Sequence, residues 1–359
     1  MIIVIEPTLR EVKFWGFTKD QTGKIRSTCL SKEIDEVRDI TGLESAVNTI
    51  LNQENLDAIA FHIFFGADLF DRSVFIDRAF FDKFRKLVKF FPFYIPLTED
   101  LLRAVYEKYN TVPILAFFET AFFAGLPEEE KYYAIPYEYF QNTNIKRWGY
   151  HGIYHEYNAQ IPESDKRIIS IVLDKQTTVC PIYKNRPLAI NLGYTPLEGI
   201  MGRTSCGDID PGIVFYLMKQ YKYSMFQIDE ILKRDSGFYG ITGYDLNLEE
   251  FFKLYGKGEK LNLAFDIYEN QILKYIGEGI SVLGGVDTLV FSGSLLEYAQ
   301  PLILNLLEKI TFLGINLQGL PWVNKIGVNG ITTPDSRIQV YLNQEQLARI
   351  IYDETMKSL

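Results

Sequence analysis

Two β-branched runs separated by a short turn open this chain, and the same unit recurs near its middle. Ile2-Ile3-Val4-Ile5 is followed by Val12-Lys13-Phe14-Trp15-Gly16-Phe17. Arg167-Ile168-Ile169-Ser170-Ile171-Val172-Leu173 is followed by Thr178-Val179-Cys180-Pro181-Ile182-Tyr183, with Asp174-Lys175-Gln176-Thr177 between them. Apolar runs of this length, bounded by turn residues, predict strands buried on both faces. One such hairpin at the head of each half predicts a duplicated α/β architecture with a cleft between the halves. Helical periodicity falls at Glu99–Tyr109, Pro211–Lys222, Leu261–Leu283 and Gln344–Met356. Asp287-Thr288-Leu289-Val290-Phe291-Ser292-Gly293 predicts a late buried strand ending in a glycine turn.

A chain of 359 residues exceeds what one hydrophobic core usually serves, so two domains are expected. The expected division is 1–146, 147–343, and a terminal helix 344–359 packed back on the first domain. A formal net charge of −9 argues against nucleic acid or an anionic membrane as partner. It leaves room for a local basic pocket that holds a phosphate. The three cysteines, Cys29, Cys180 and Cys206, form no CxxC pair and suggest a reducing compartment. The segment Met1 to Glu6 lacks the basic start and the apolar length of a signal peptide, and no run is long enough to span a membrane. A cytoplasmic protein is expected. The 26 Phe and 23 Tyr predict a bulky aromatic core and carry no functional reading of their own.

Several motifs occur in the order known from one family. Ile135-Pro136-Tyr137-Glu138 leads into Gly149-Tyr150-His151-Gly152-Ile153-Tyr154-His155. Then come Thr195-Pro196-Leu197-Glu198-Gly199, Gly207-Asp208-Ile209-Asp210-Pro211, Ser236-Gly237-Phe238-Tyr239-Gly240-Ile241-Thr242-Gly243 and Thr333-Pro334-Asp335-Ser336. In these segments the chain resembles the acetate kinase family. The resemblance implies the two-domain acetate and sugar kinase/Hsp70/actin (ribonuclease H-like) fold, usually found as a homodimer. It also implies transfer of the γ-phosphoryl of ATP to a carboxylate, with Mg²⁺. Such chemistry rests on positioning and on neutralising spread negative charge.

The resemblance assigns roles residue by residue. His151 stands where the family keeps a histidine that stabilises the transferring phosphoryl group, and His155 is the second histidine of that motif. A structural pair of histidines at the start of a helix is the bland alternative. Glu119 takes the place of an aspartate in Phe-Asp-Thr-Ala-Phe, one methylene longer. Glu345 matches a glutamate that contributes to Mg²⁺ binding, or is a favourable charge in the first turn of a helix. Lys175, Thr177 and Thr178 belong to the second phosphate turn. Gly293 and Ser294 belong to the segment that lies against the nucleotide.

Other positions depart from the pattern. The first turn, Asn-Ala-Gly-Ser-Ser-Ser in the family, reads Glu6-Pro7-Thr8-Leu9-Arg10-Glu11 here. The second loses both of its glycines, with Lys175 as a substitute point charge. Ile63 and Ser205 stand where the family has arginines, and Arg203 lies two residues before the second of these positions. Losing one such guanidinium costs on the order of 10³-fold in rate. Three functions therefore stay open. One is a phosphotransferase with altered substrate or reduced activity, relying on His151, Glu119 and Arg203. The others are a non-catalytic homologue and a nucleotide-binding protein that transfers nothing.

Overall fold

The computed structural model describes residues 1–20, 22–33, 35, 40–51, 55–319 and 327–359. Its contacts divide the chain into two compact units, Met1–Ala124 with Gln346–Leu359, and Gly125–Glu345.

The first unit is built on a six-stranded sheet of order β3-β2-β1-β4-β6-β5. Its strands are β1 (Ile2–Pro7), β2 (Glu11–Lys19), β3 (Ile25–Glu33), β4 (Ala58–Ile63), β5 (Val74–Phe75) and β6 (Ile114–Phe118). β1 is antiparallel to β2 and parallel to β4, and β4 is parallel to β6. The central strands β1, β4 and β6 are nearly uniform apolar runs because helices and loops cover both of their faces. Alternating burial along β2 marks a strand with one wetter face. The helix Leu347–Ser358 packs on β1 and β4, and its Tyr352 ring stacks on Phe17 with centroids 4.9 Å apart. Phe70, Phe80, Phe84 and Phe118 interlock in the core, the Phe70 and Phe118 rings stacked at 4.4 Å.

The second unit repeats this plan. Its strands are β7 (Arg167–Val172), β8 (Thr178–Tyr183), β9 (Arg186–Pro187), β10 (Thr288–Ser292), β11 (Val328–Gly330) and β12 (Gln339–Asn343). The sheet order is β11-β12-β10-β7-β8-β9. Numbered from its own first strand and read from the other edge, this is the same 3-2-1-4-6-5 order, with the same parallel and antiparallel pairings. The duplication expected from two hairpins therefore extends to all twelve strands. The long helix Glu259–Leu283 packs on β7 and β8, and the short helix Gly152–Ala159 packs on β7, β8 and β10.

Two details differ from the sequence expectation. The division between units falls before Gly125, and residue 146 lies inside the second unit. The intervening stretch is tied there: the Tyr133 hydroxyl donates to Glu198, and Arg147 N–H donates to Lys131 O at 2.8 Å. In the first hairpin Glu6 and Pro7 belong to β1, with Glu6 opposite Lys13, so the turn proper is only Thr8 to Arg10. The three cysteines are free thiols. Among the described residues no helix is long and apolar enough to cross a membrane.

Candidate active site

The second unit brings together the histidine of the motif and the second hairpin. His151 precedes helix Gly152–Ala159 with a left-handed backbone, φ 61° and ψ 26°. A non-glycine residue held there is strained and persists only where its surroundings fix it. Its ring is bonded by Thr178, the first residue of β8, whose Oγ1 lies 3.0 Å from His151 Nδ1. The same hydroxyl lies 2.9 Å from Nε2 of His155, which is fully buried. Burial, with His151 alongside, holds the His155 imidazole well below its ordinary pKa.

Gly293 joins this group. It follows β10 with φ +101°, and a Cβ there would lie 2.3 Å from Leu173 O, so only glycine lets this turn close on the end of the hairpin. Leu295 N–H donates to Leu173 O at 3.0 Å, which leaves Ser294 exposed beside Leu173. Lys175 is exposed in the same hairpin turn. Thr177 is turned elsewhere: its hydroxyl bonds the buried Tyr268 hydroxyl, and its carbonyl accepts from Asn191 Nδ2.

Both hairpin turns spend N–H groups internally. Thr8 Oγ1 accepts from the N–H of Arg10 at 3.2 Å and of Glu11 at 3.0 Å. In the second turn Asp174 Oδ1 accepts from Lys175 N–H at 2.6 Å.

Arg203 lies in a loop held by the backbone of Ser236, Phe238 and Tyr239. Its guanidinium pairs with Asp245 at 2.9 Å and donates to Leu246 O at 3.2 Å. Ser205, two residues on, faces the hairpin instead, with its Oγ 2.9 Å from Gln176 Nε2. The structure thus separates Arg203 from the contact its neighbour makes. Glu345 is half-buried, and its N–H donates to Asn343 Oδ1 at 3.0 Å. Among the described residues no group of three or more His, Cys, Asp or Glu side chains is placed to hold a metal.

Glu119 belongs to the first unit. It follows β6, is 3% exposed, and its carboxylate accepts from His62 Nε2 at 2.7 Å. Sequence reading passed over His62 as a partner. The parallel register of β4 and β6, which sets His62 opposite Phe117, is the signal that places it beside Glu119.

The other motifs do structural work. Asp208 Oδ1 accepts from Gly199 N–H at 2.7 Å and also receives the Tyr275 hydroxyl at its other oxygen. Asp210 caps helix Pro211–Tyr221 through Gly212 N–H. Arg147 pairs with Glu198 at 2.8 Å.

Each unit carries one sheet of 3-2-1-4-6-5 order, and the chain has the acetate and sugar kinase/Hsp70/actin fold of the solved structures it matches. The chain is similar to the crystal structure of Porphyromonas gingivalis acetate kinase, with TM-score 0.88 at 24% identity, over 99% of this chain and 98% of that one. A propionate kinase from Francisella tularensis subsp. tularensis aligns with TM-score 0.83 at 23% identity, over 98% of each chain. By sequence the chain is 32% identical over 338 residues to the acetate kinase of Dictyoglomus thermophilum, covering 91% of this chain and 84% of that protein. It is 30% identical over 301 residues to that of Clostridium novyi, covering 81% and 75%. The sequence profile of the Acetokinase family matches residues 12–351. The chain belongs to the Acetokinase family.

Proposed function

We propose that this protein transfers the γ-phosphoryl of ATP to a small carboxylate, and that with acetate it does so far more slowly than ordinary members of its family. One observation carries the first part: a hydroxyl of the second hairpin bonds the ring of the motif histidine, whose backbone takes the left-handed conformation. In this reading His151 donates to the phosphoryl oxygens. Lys175, Thr178 and the Gly293–Ser294 turn line the phosphate path, and Thr177 supports it from behind. Glu119, paired with His62, orients the acceptor. Arg203 supplies positive charge once it leaves Asp245.

Mg²⁺ commonly binds through one or two carboxylates, several waters and the substrate phosphates. Glu345 as a single protein carboxylate fits that habit, and the ion would neutralise phosphate charge. The slow turnover follows from Ile63 and Ser205 in place of arginines, and from turn N–H groups already occupied by Thr8 and Asp174. We also place the protein in the cytoplasm as a homodimer. Helix Pro211–Tyr221 has no buried residue, and its Phe215 is 69% exposed, as is Phe226 at 73% on the next helix, Met225–Arg234; together they offer apolar surface suited to a second copy.

The pairing of Arg203 with Asp245 favours a second reading, a non-catalytic homologue kept for binding or regulation. A thermal-shift comparison of buffer, Mg-ADP and Mg-ATP separates the two. Stabilisation by nucleotide supports the phosphotransferase, and its absence at millimolar nucleotide favours the homologue.

A further inference from the structure

A row of buried polar side chains crosses the second sheet. Neighbouring strands β12, β10, β7 and β8 contribute Asn343, Ser292, Ser170 and Thr178, and each is 0% exposed. Helix Gly152–Ala159 lays His155 and Asn158 over them, also 0% exposed. So many polar groups in a dry interior persist only if each finds a partner.

The direction of the bonds in the row follows from one fixed donor together with the need of the buried Ser170 proton for an acceptor. A backbone N–H can only donate, and that of Glu345 lies 3.0 Å from the Asn343 side-chain oxygen. The Asn343 amide nitrogen must therefore donate to Asn158 Oδ1, at 2.8 Å. Asn158 Nδ2 then donates to Ser170 Oγ at 2.9 Å and to Ser292 Oγ at 2.8 Å. Ser170 accepts there, so its own proton goes to His155 Nδ1, 2.7 Å away. A neutral imidazole with one accepting nitrogen donates through the other. His155 Nε2–H therefore donates to Thr178 Oγ1 at 2.9 Å, and the Thr178 proton goes to His151 Nδ1 at 3.0 Å. Running the last steps backwards would leave the Ser170 proton without an acceptor in a buried site, the costly arrangement.

We propose that this chain is a positioning device: it presents His151 as a neutral imidazole with its proton on Nε2. His151 is then a fixed N–H donor and not a base at that nitrogen. Asn158, wholly buried, is the positioning residue that sets the direction. Burial keeps His155 neutral, as the chain requires. Service of this donor to a phosphoryl group rests on the phosphotransfer reading, whereas the direction of the chain does not.

The chain has three histidines, so imidazole ¹⁵N labelling and long-range ¹H–¹⁵N correlation at pH 8 resolve each ring, with His62→Gln as an assignment aid. The expected wild-type spectrum shows His151 and His155 wholly in the Nε2–H form. Asn158→Asp replaces the donor with an acceptor, so Ser170 gives its proton to the carboxylate and the chain reverses. His151 should then carry its proton on Nδ1, and any turnover should fall on the order of 10²-fold, as for loss of one transition-state donor. A wild-type His151 protonated on Nδ1 overturns the proposal. So does an unchanged His151 tautomer in folded Asn158→Asp. If that variant does not fold, Thr178→Ser should keep the single tautomer and Thr178→Val should give a mixture; an unmixed Nε2–H form in Thr178→Val overturns it equally. The spectra decide the matter even if the protein transfers no phosphate.

Discussion

The carboxylate of Glu6 accepts a hydrogen bond from the indole Nε1–H of Trp15, 2.7 Å away across the first hairpin. A negative charge is thereby held in place at the end of β1, beside the first of the two turns that the family resemblance assigns to phosphate. Glu6→Gln removes the charge and keeps an acceptor for Trp15. It should tighten Mg-ATP binding about 3- to 10-fold, the scale of a partly screened repulsion of about 1 kcal/mol. Isothermal titration checks this, and equal or weaker binding by the variant removes Glu6 from the phosphate path.

Gly293→Ala should be among the most damaging single changes near the site. The backbone sits at φ +101° and the new methyl would meet Leu173 O at 2.3 Å. A loss of about 2–4 kcal/mol in urea unfolding is expected from strain and displacement of the turn together. A loss below about 0.5 kcal/mol would show that the turn moves freely.

His155 makes stability depend on pH. Its folded-state pKa lies well below the ordinary value because the ring is buried. In acid the unfolded chain binds a proton that the folded protein refuses, so the contribution is complete above about pH 6.5 and is lost as pH falls below it. The expected slope approaches about 1.4 kcal/mol per pH unit as pH falls below about 6.5. His155→Gln should lose that slope. Urea melts at three pH values read it directly, and an identical slope in the variant would assign the acid sensitivity to other groups.

Much of this architecture is legible in the sequence. The apolar runs of β1, β7 and β10 and the period of helix Glu259–Leu283 locate themselves. β3 does not, because Ile25–Glu33 is a mostly exposed edge strand with little apolar patterning. The unit boundary is hidden because residues 125–146 are held by long-range bonds such as Tyr133 to Glu198, which no local composition announces. For the site, the motif pointed to His151. Its link to Thr178, and the pairing of His62 with Glu119, depend on which strands are neighbours. The family pattern puts Glu6 in the first turn, yet Glu6 and Pro7 complete β1.

The exposed apolar residues of helices Pro211–Tyr221 and Met225–Arg234 give a separate test of assembly. Phe215→Glu with Phe226→Glu puts charge on residues that touch little within their own unit. Sedimentation at micromolar concentration should show a dimer for wild type and a monomer for the double variant, with far-ultraviolet dichroism unchanged. A wild-type monomer, or a double variant that still dimerises, rules out this face.

The central claim is slow, His151-dependent phosphoryl transfer to a carboxylate. A hydroxamate assay with Mg-ATP and acetate, propionate or butyrate, run on wild type, His151→Ala and Arg203→Ala, tests it most directly. The prediction is acyl phosphate formation with acetate at well under about 1 s⁻¹, against about 1–100 s⁻¹ for ordinary kinases, abolished in His151→Ala and reduced in Arg203→Ala. Acetate turnover within the ordinary range would contradict the claim of slowing, and product formation unaffected by His151→Ala, or none from any carboxylate, would contradict the claim of transfer at this site.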